Sequence, residues 1–127
     1  MSEAKIISDH LILKEKIICV TGGNGFIGEK LIEELTKIGC RVRALTRKKN
    51  AKFPKNVDVF IGDLTDTNLS LKKFIEGCDI LYHCAGELND KAKMSLLHIN
   101  GTQKLIEVVE NETKSTQKKI HWILLPI

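Results

Sequence analysis

No stretch of this 127-residue chain is apolar for long enough to cross a bilayer, which takes about 20 consecutive apolar residues. Charges scattered through the first 16 residues leave no room for the apolar core of a signal peptide, so the chain reads as cytoplasmic. Proline is scarce, with two residues, and the balance of 43% hydrophobic to 28% charged residues excludes a disordered or fibrous protein. Metal-ligand spacing is missing too. The four cysteines, Cys19, Cys40, Cys78 and Cys84, form no CxxC pair, and no histidine stands where it would complete a zinc set. Cys19 and Cys84 lie inside apolar runs and read as reduced, buried thiols. The net charge of +4 is spread over many segments and aromatics make up only 5%, which speaks against a nucleic-acid surface. The length suits one domain and is too short for two full ones.

What is present is an alternation of short β-branched runs with helical periodicity, the pattern of an α/β protein with a parallel sheet. Strands are expected over 16–21, Arg41–Thr46, Val57–Ile61, 79–84 and 120–125. The first is almost continuously apolar, as a strand covered on both faces should be. A helix follows it with Ile27, Leu31, Leu35 and Ile38 as its apolar stripe, and Gly39 ends it. A short helix over 68–76, capped by Thr65 or Thr67, and a longer one over 91–111, with Leu97, Gly101, Leu105 and Val108 on one face, complete the set. The residues between, 47–54 and 112–119, read as loops. Crossover connections then give a doubly wound parallel sheet of order 3-2-1-4-5, with a crevice above the carboxyl ends of the first and fourth strands. Residues 1–15 form a leader with no clear period, and the domain occupies 16–127.

The most specific motif is Thr21-Gly22-Gly23-Asn24-Gly25-Phe26-Ile27-Gly28, between a buried strand and an amphipathic helix. In a Rossmann-type sheet the first glycine of such a GxxGxxG spacing makes the tight turn. The second lets a pyrophosphate approach the backbone, the third lets the helix pack close, and the helix N-terminus offers free N–H groups to the anion. With this spacing the chain resembles the extended short-chain dehydrogenases, the NAD(P)-dependent epimerase/dehydratase group with its dihydroflavonol-reductase-like members. Gly62-Asp63-Leu64-Thr65-Asp66, Tyr82-His83-Cys84-Ala85-Gly86 and Asn100-Gly101-Thr102 match the same group in order. The resemblance implies that Gly22, Gly25, Phe26, Ile27 and Gly28 hold the dinucleotide. It further implies that Asp63 bonds the adenine amino group, that Leu64 offers its backbone to the ring, and that Ala85 and Gly86 line the pyrophosphate and nicotinamide-ribose side. Asn100 corresponds to the helix asparagine that shapes the active site. Read as residues alone, Asp63 is also a loop or capping aspartate and Asn100 a buried hydrogen-bonding group. His83 is expected to point inward in a structural role.

NAD-specific relatives carry an acidic residue at the end of the second strand. Here the run is Thr46-Arg47-Lys48-Lys49, and Arg47 is expected to pair with a 2′-phosphate, favouring NADP over NAD; the alternative is a solvated basic loop. The resemblance stops short of catalysis. It calls for a serine or threonine at the end of strand five and, in the next helix, a tyrosine separated by three residues from a lysine, a Tyr-x-x-x-Lys pair. Strand five reads Ile120-His121-Trp122-Ile123-Leu124-Leu125-Pro126-Ile127, and Tyr82, the one tyrosine, has no such lysine. No catalytic or metal residue is therefore assigned, and the expected object is a cofactor-binding domain truncated after about five strands, with the substrate domain absent. It should bind dinucleotide without turning over alone. An exposed apolar face and an open edge near strand five are expected, where a protein partner would provide cover. The competing readings are a non-enzymatic dinucleotide sensor or partner-binding module, and a non-functional remnant.

Overall fold

A computed structural model of the chain describes residues 16–22, 25–64, 66, 70–84 and 101–124. Within them lie β1 (Ile17–Thr21), α1 (Phe26–Ile38), β2 (Arg41–Thr46), β3 (Val57–Ile61), α2 (Lys72–Ile75), β4 (Ile80–His83), α3 (Thr102–Thr116) and β5 (His121–Leu124). The strands form one sheet of order β3-β2-β1-β4-β5, every neighbouring pair parallel, as the alternating pattern anticipates. The leader and the expected caps Thr65 and Thr67 lie outside the described residues, as do Leu97 and Asn100.

Alternation along the strands splits the core in two. On one face, Ile18 and Val20 of β1 and Val42 and Ala44 of β2 pack with Ile32 and Leu35 of α1. On the other, Cys19, Leu45 and Leu81 meet Phe74 and Ile75 of α2 and Leu105 and Val109 of α3. Phe60 of β3 closes edge-on against Phe74, ring centroids 5.6 Å apart. Both faces of β1 are thus covered, which is why its sequence is apolar at successive positions.

Helix α1 departs from its expected stripe at Ile27 alone. Ile27 is 39% exposed, whereas Gly28, Ile32 and Leu35 are buried. Leu31 and Ile38 pack against the same core as Leu35, so the stripe holds beyond Ile27 and is widened by Gly28 and Ile32. Gly39 ends the helix in the left-handed region at φ 92°, its N–H returning to Thr36 O at 3.0 Å. Helix α3 runs to Thr116, beyond the expected end at 111. Glu112 lies one turn past the buried Val109 and accepts the Gly77 N–H at 2.7 Å, so a polar residue continues the buried face.

Asp79 fastens the amino ends of three strands. It accepts the Ile17 N–H through Oδ2 at 2.7 Å and pairs with Lys118 through Oδ1, while its own backbone reaches Ile17 O and the His121 N–H. Burial works to raise its pKa and is outweighed by the Lys118 hydrogen bond, the Ile17 N–H and the charges of Lys118 and Lys16, so the carboxyl is held below the usual range. A depressed folded-state pKa means stability that is complete above the unfolded value, about 3.9, and lost as pH falls below it through the folded value. Replacing Asp79 with Asn keeps an acceptor for Ile17 but removes the charge. We expect it to cost about 1 kcal/mol at pH 7 and to narrow the difference between urea midpoints at pH 7 and pH 3. An unchanged difference would show that the acid sensitivity resides elsewhere.

Candidate functional site

The chain leaves β1, works outward to β3 and then crosses back to β4, so the carboxyl ends of β1 and β4 meet at the point where the winding reverses. Thr21 is aligned with His83 across that junction. Gly22 follows at φ 67°, the left-handed region that favours glycine, and its carbonyl accepts the Gly25 N–H at 3.0 Å to close the turn. Gly25 is the N-cap of α1, extended at φ −78° and ψ 167°, with no side-chain cap. The first turn of α1, Phe26, Ile27 and Gly28, therefore opens onto this end of the sheet with backbone N–H groups that no capping side chain occupies. Free N–H groups at a helix start suit a phosphate anion.

The remaining expected residues divide. Asp63 is half-buried just beyond β3, in a turn closed by the Asp66 N–H to its carbonyl at 2.9 Å. Leu64 is 4% exposed and its side chain belongs to the core with Phe74 and Leu105, leaving its backbone for any contact. Arg47 is exposed directly after β2. Next to it, a cleft of about 500 Å³ runs between Glu29 in the first turn of α1 and the 48–53 segment, lined by Lys48, Lys49, Lys52 and Phe53. Sequence reasoning singled out the basic run and missed Glu29 and Phe53, which nothing in their local pattern marks. Ala85 and Gly86 lie outside the described residues.

A buried polar chain under the glycine turn was also not anticipated as a unit. The Thr21 hydroxyl lies 2.6 Å from His83 Nδ1 and accepts the Cys84 N–H at 3.2 Å, and His83 Nε2 lies 3.1 Å from the Thr102 hydroxyl. Thr21 is fully buried and His83 is 5% exposed, which agrees with the inward, structural placement expected of the histidine. The signal available in the sequence was the pair of polar residues, Thr21 and His83, closing two otherwise apolar strands.

No thiol here is primed as a nucleophile by its surroundings at the crevice: burial pushes Cys84 up to about 11. Away from the crevice, the neighbouring Cys78 and burial raise Cys19, whose Sγ donates to Phe74 O at 3.1 Å, while Cys78 is lowered by Cys19. Burial likewise raises Tyr82, which packs with the α1-side core, so its phenol is not poised for proton transfer near neutral pH. Among the described residues no cluster of side chains suited to a metal is found, and no helix is long and apolar enough to cross a membrane.

The chain is similar to known proteins in sequence and in fold. The chain is 33% identical to the uncharacterized membrane protein MJ1061 of Methanocaldococcus jannaschii, the match covering 85% of this chain and 38% of that protein. It is 32% identical to the decarboxylating sterol-4-alpha-carboxylate 3-dehydrogenase of Dictyostelium discoideum, over 80% of this chain and 33% of that one. The match thus spans 38% of the length of the first relative and 33% of the second. A short chain dehydrogenase from Leptospira borgpetersenii, solved with bound NAD+, superimposes with a TM-score of 0.73 at 24% identity, over 88% of this chain and 51% of its own. That likeness is one of fold. The profile of the NAD dependent epimerase/dehydratase family matches residues 18–121, most of the chain. With the match running from β1 to the start of β5 and so reaching all five strands of the sheet, the chain belongs to the NAD dependent epimerase/dehydratase family.

Proposed function

We propose that the chain is the cofactor-holding part of an NAD(P)-dependent epimerase, dehydratase or reductase acting on nucleotide-sugar or related hydroxyl and carbonyl substrates, and that it takes NADP in preference to NAD. The observation that carries the reading is the Gly22–Gly28 turn at the β1/β4 reversal, opening onto an uncapped helix start. In this reading Gly22, Gly25 and the first-turn amides of Phe26, Ile27 and Gly28 hold the pyrophosphate. Asp63 accepts from the adenine amino group beside the Leu64 backbone, and Ala85 and Gly86 make room for the nicotinamide ribose. A bound nicotinamide dinucleotide supplies hydride transfer. The described residues bind and orient it, and the 127 residues contain no Tyr-x-x-x-Lys pair to move a proton, so binding without turnover is the expected behaviour of this stretch alone.

The preference for NADP rests on the exposed Arg47 and on the cleft edged by Lys48, Lys49 and Lys52 beside it, with Thr46 where an acidic residue would favour NAD. Leu124, 65% exposed on the edge strand β5, supports a covering protein segment or partner at that end of the sheet. Calorimetric titration with NADPH and NADH, on the chain and on Arg47→Asp, tests the cofactor reading. We expect saturable binding that favours NADPH, and a loss of about tenfold in NADPH affinity in the variant, the weight of one charge-assisted hydrogen bond. A folded chain that binds neither dinucleotide would sink the reading. Binding in which Arg47→Asp leaves the preference untouched would remove Arg47 from the site and keep the rest.

A further inference from the structure

We propose that His83 is a positioning residue: as a neutral imidazole protonated on Nε2, it ties the Gly22 turn to the end of β4 and to the first turn of α3, and so holds the dinucleotide crevice at its working width. The inference rests on the cofactor reading above, and it begins from the bonding of Thr21. That hydroxyl is fully buried and accepts the Cys84 N–H, which occupies one lone pair and leaves its own proton to be placed. Among the described residues the one acceptor in reach of that proton is His83 Nδ1, 2.6 Å away. A buried hydroxyl proton left without an acceptor is costly, so Thr21 donates to Nδ1. A neutral imidazole carries a single N–H, which must then sit on Nε2 and donate to the Thr102 hydroxyl at 3.1 Å.

The consequence is mechanical. Thr21 precedes the left-handed Gly22, Cys84 is the first residue past β4, and Thr102 is the first residue of α3, so one side chain joins the elements that border the crevice. Parallel strand pairing already aligns Thr21 with His83, but the ladder stops there and cannot set the path of the chain beyond it. The hydrogen-bonded chain continues that alignment into the turn. Buried networks of this kind hold geometry well only while every member is satisfied, and removal of one member releases the others.

The test uses the full chain. Nitrogen-15 spectra of the histidine-labelled protein, recorded without cofactor at neutral pH, are expected to show His83 protonated on Nε2 and bare on Nδ1. NADPH titrations of Thr21→Val and of His83→Phe should each show about a tenfold loss of affinity. The double variant should lose little more than either single one, since both break the same chain. Thr21→Ser, which keeps the hydroxyl, should bind within a few-fold of the parent, a rescue that loss of packing at Thr21 would not allow. An Nδ1-protonated imidazole overturns the proposal, as does a folded His83→Phe variant with the parent's affinity. A parent chain that binds no dinucleotide overturns the cofactor reading instead, and the imidazole spectrum, which needs no cofactor, tells the two failures apart.

Discussion

Phe74→Ala is expected to lower the stability of the domain by about 3–5 kcal/mol, the range for emptying a close-packed aromatic site. Phe74 is 1% exposed and holds the α2/α3 side of the core together, packed with Leu71, Leu81 and Leu105 and set edge-on to Phe60 at 5.6 Å and 67°. Helix α2 is four residues long, too short to be stable by itself, so its place depends on the side chains it buries. Arg43 fastens the same helix from β2, its guanidinium donating to Phe74 O at 3.0 Å and to Lys73 O at 3.3 Å. Those bonds survive in the variant, since they use backbone carbonyls. Domains of this size have about 5–15 kcal/mol in total, so the loss should appear as a fall of roughly 10–20 °C in melting temperature. Phe74→Leu, which refills most of the space, should recover more than half of it. A fall of under about 1 kcal/mol for the alanine variant would mean that the α2 side of the sheet is not close-packed.

Gly22→Val should abolish useful dinucleotide binding while leaving most of the fold in place. At φ 67° an L-residue pays about 1–2 kcal/mol, and a β-branched side chain stands among the worst tolerated there. The chain has two ways to relieve the strain: bear it, or reopen the turn that the Gly25 N–H closes on Gly22 O. Reopening moves Gly25 and with it the start of α1, so the amides proposed to hold the pyrophosphate lose their alignment. A loss of about a hundredfold in NADPH affinity corresponds to about 2.8 kcal/mol, within reach of strain and misplacement together. The β1 ladder with β2 and β4 ends at Thr21, before the substitution, so the melting temperature should fall by only a few degrees. Parent-like affinity in Gly22→Val would place the dinucleotide elsewhere on the molecule. Gly22→Ala, strained without branching, should fall between the two.

Much of this architecture is legible in the residues themselves. A run such as Ile18-Cys19-Val20, apolar at every position, can only be a strand covered on both faces or a buried helix, and the glycine turn right after it leaves the strand. Gly39 in the left-handed region at the end of α1 is the stop that the sequence announces. Where the reading slipped, a partner from another element had decided the matter. Ile27 and Ile32 are both apolar and five positions apart, about 140° around the helix axis, and only the packing of α1 on the sheet buries Ile32 and leaves Ile27 at the surface. Glu112 looks like the start of a loop until the Gly77 N–H, 35 residues away, is seen to need its carboxylate.

The same division holds at the candidate site. By itself the sequence determined the strand, turn and helix around Gly22–Gly28, because turn geometry and hydrophobic period are properties of adjacent residues. It also determined the sheet order, since short crossovers and parallel pairing leave few other arrangements. The tertiary structure alone decided that Thr21, His83 and Thr102 form one hydrogen-bonded chain, and that Glu29 faces Lys48, Lys49 and Lys52 across a cleft. Those groups are separated by up to 81 positions or lie on different elements, and a polar side chain's partner is fixed by which elements the sheet sets side by side, not by its neighbours along the chain.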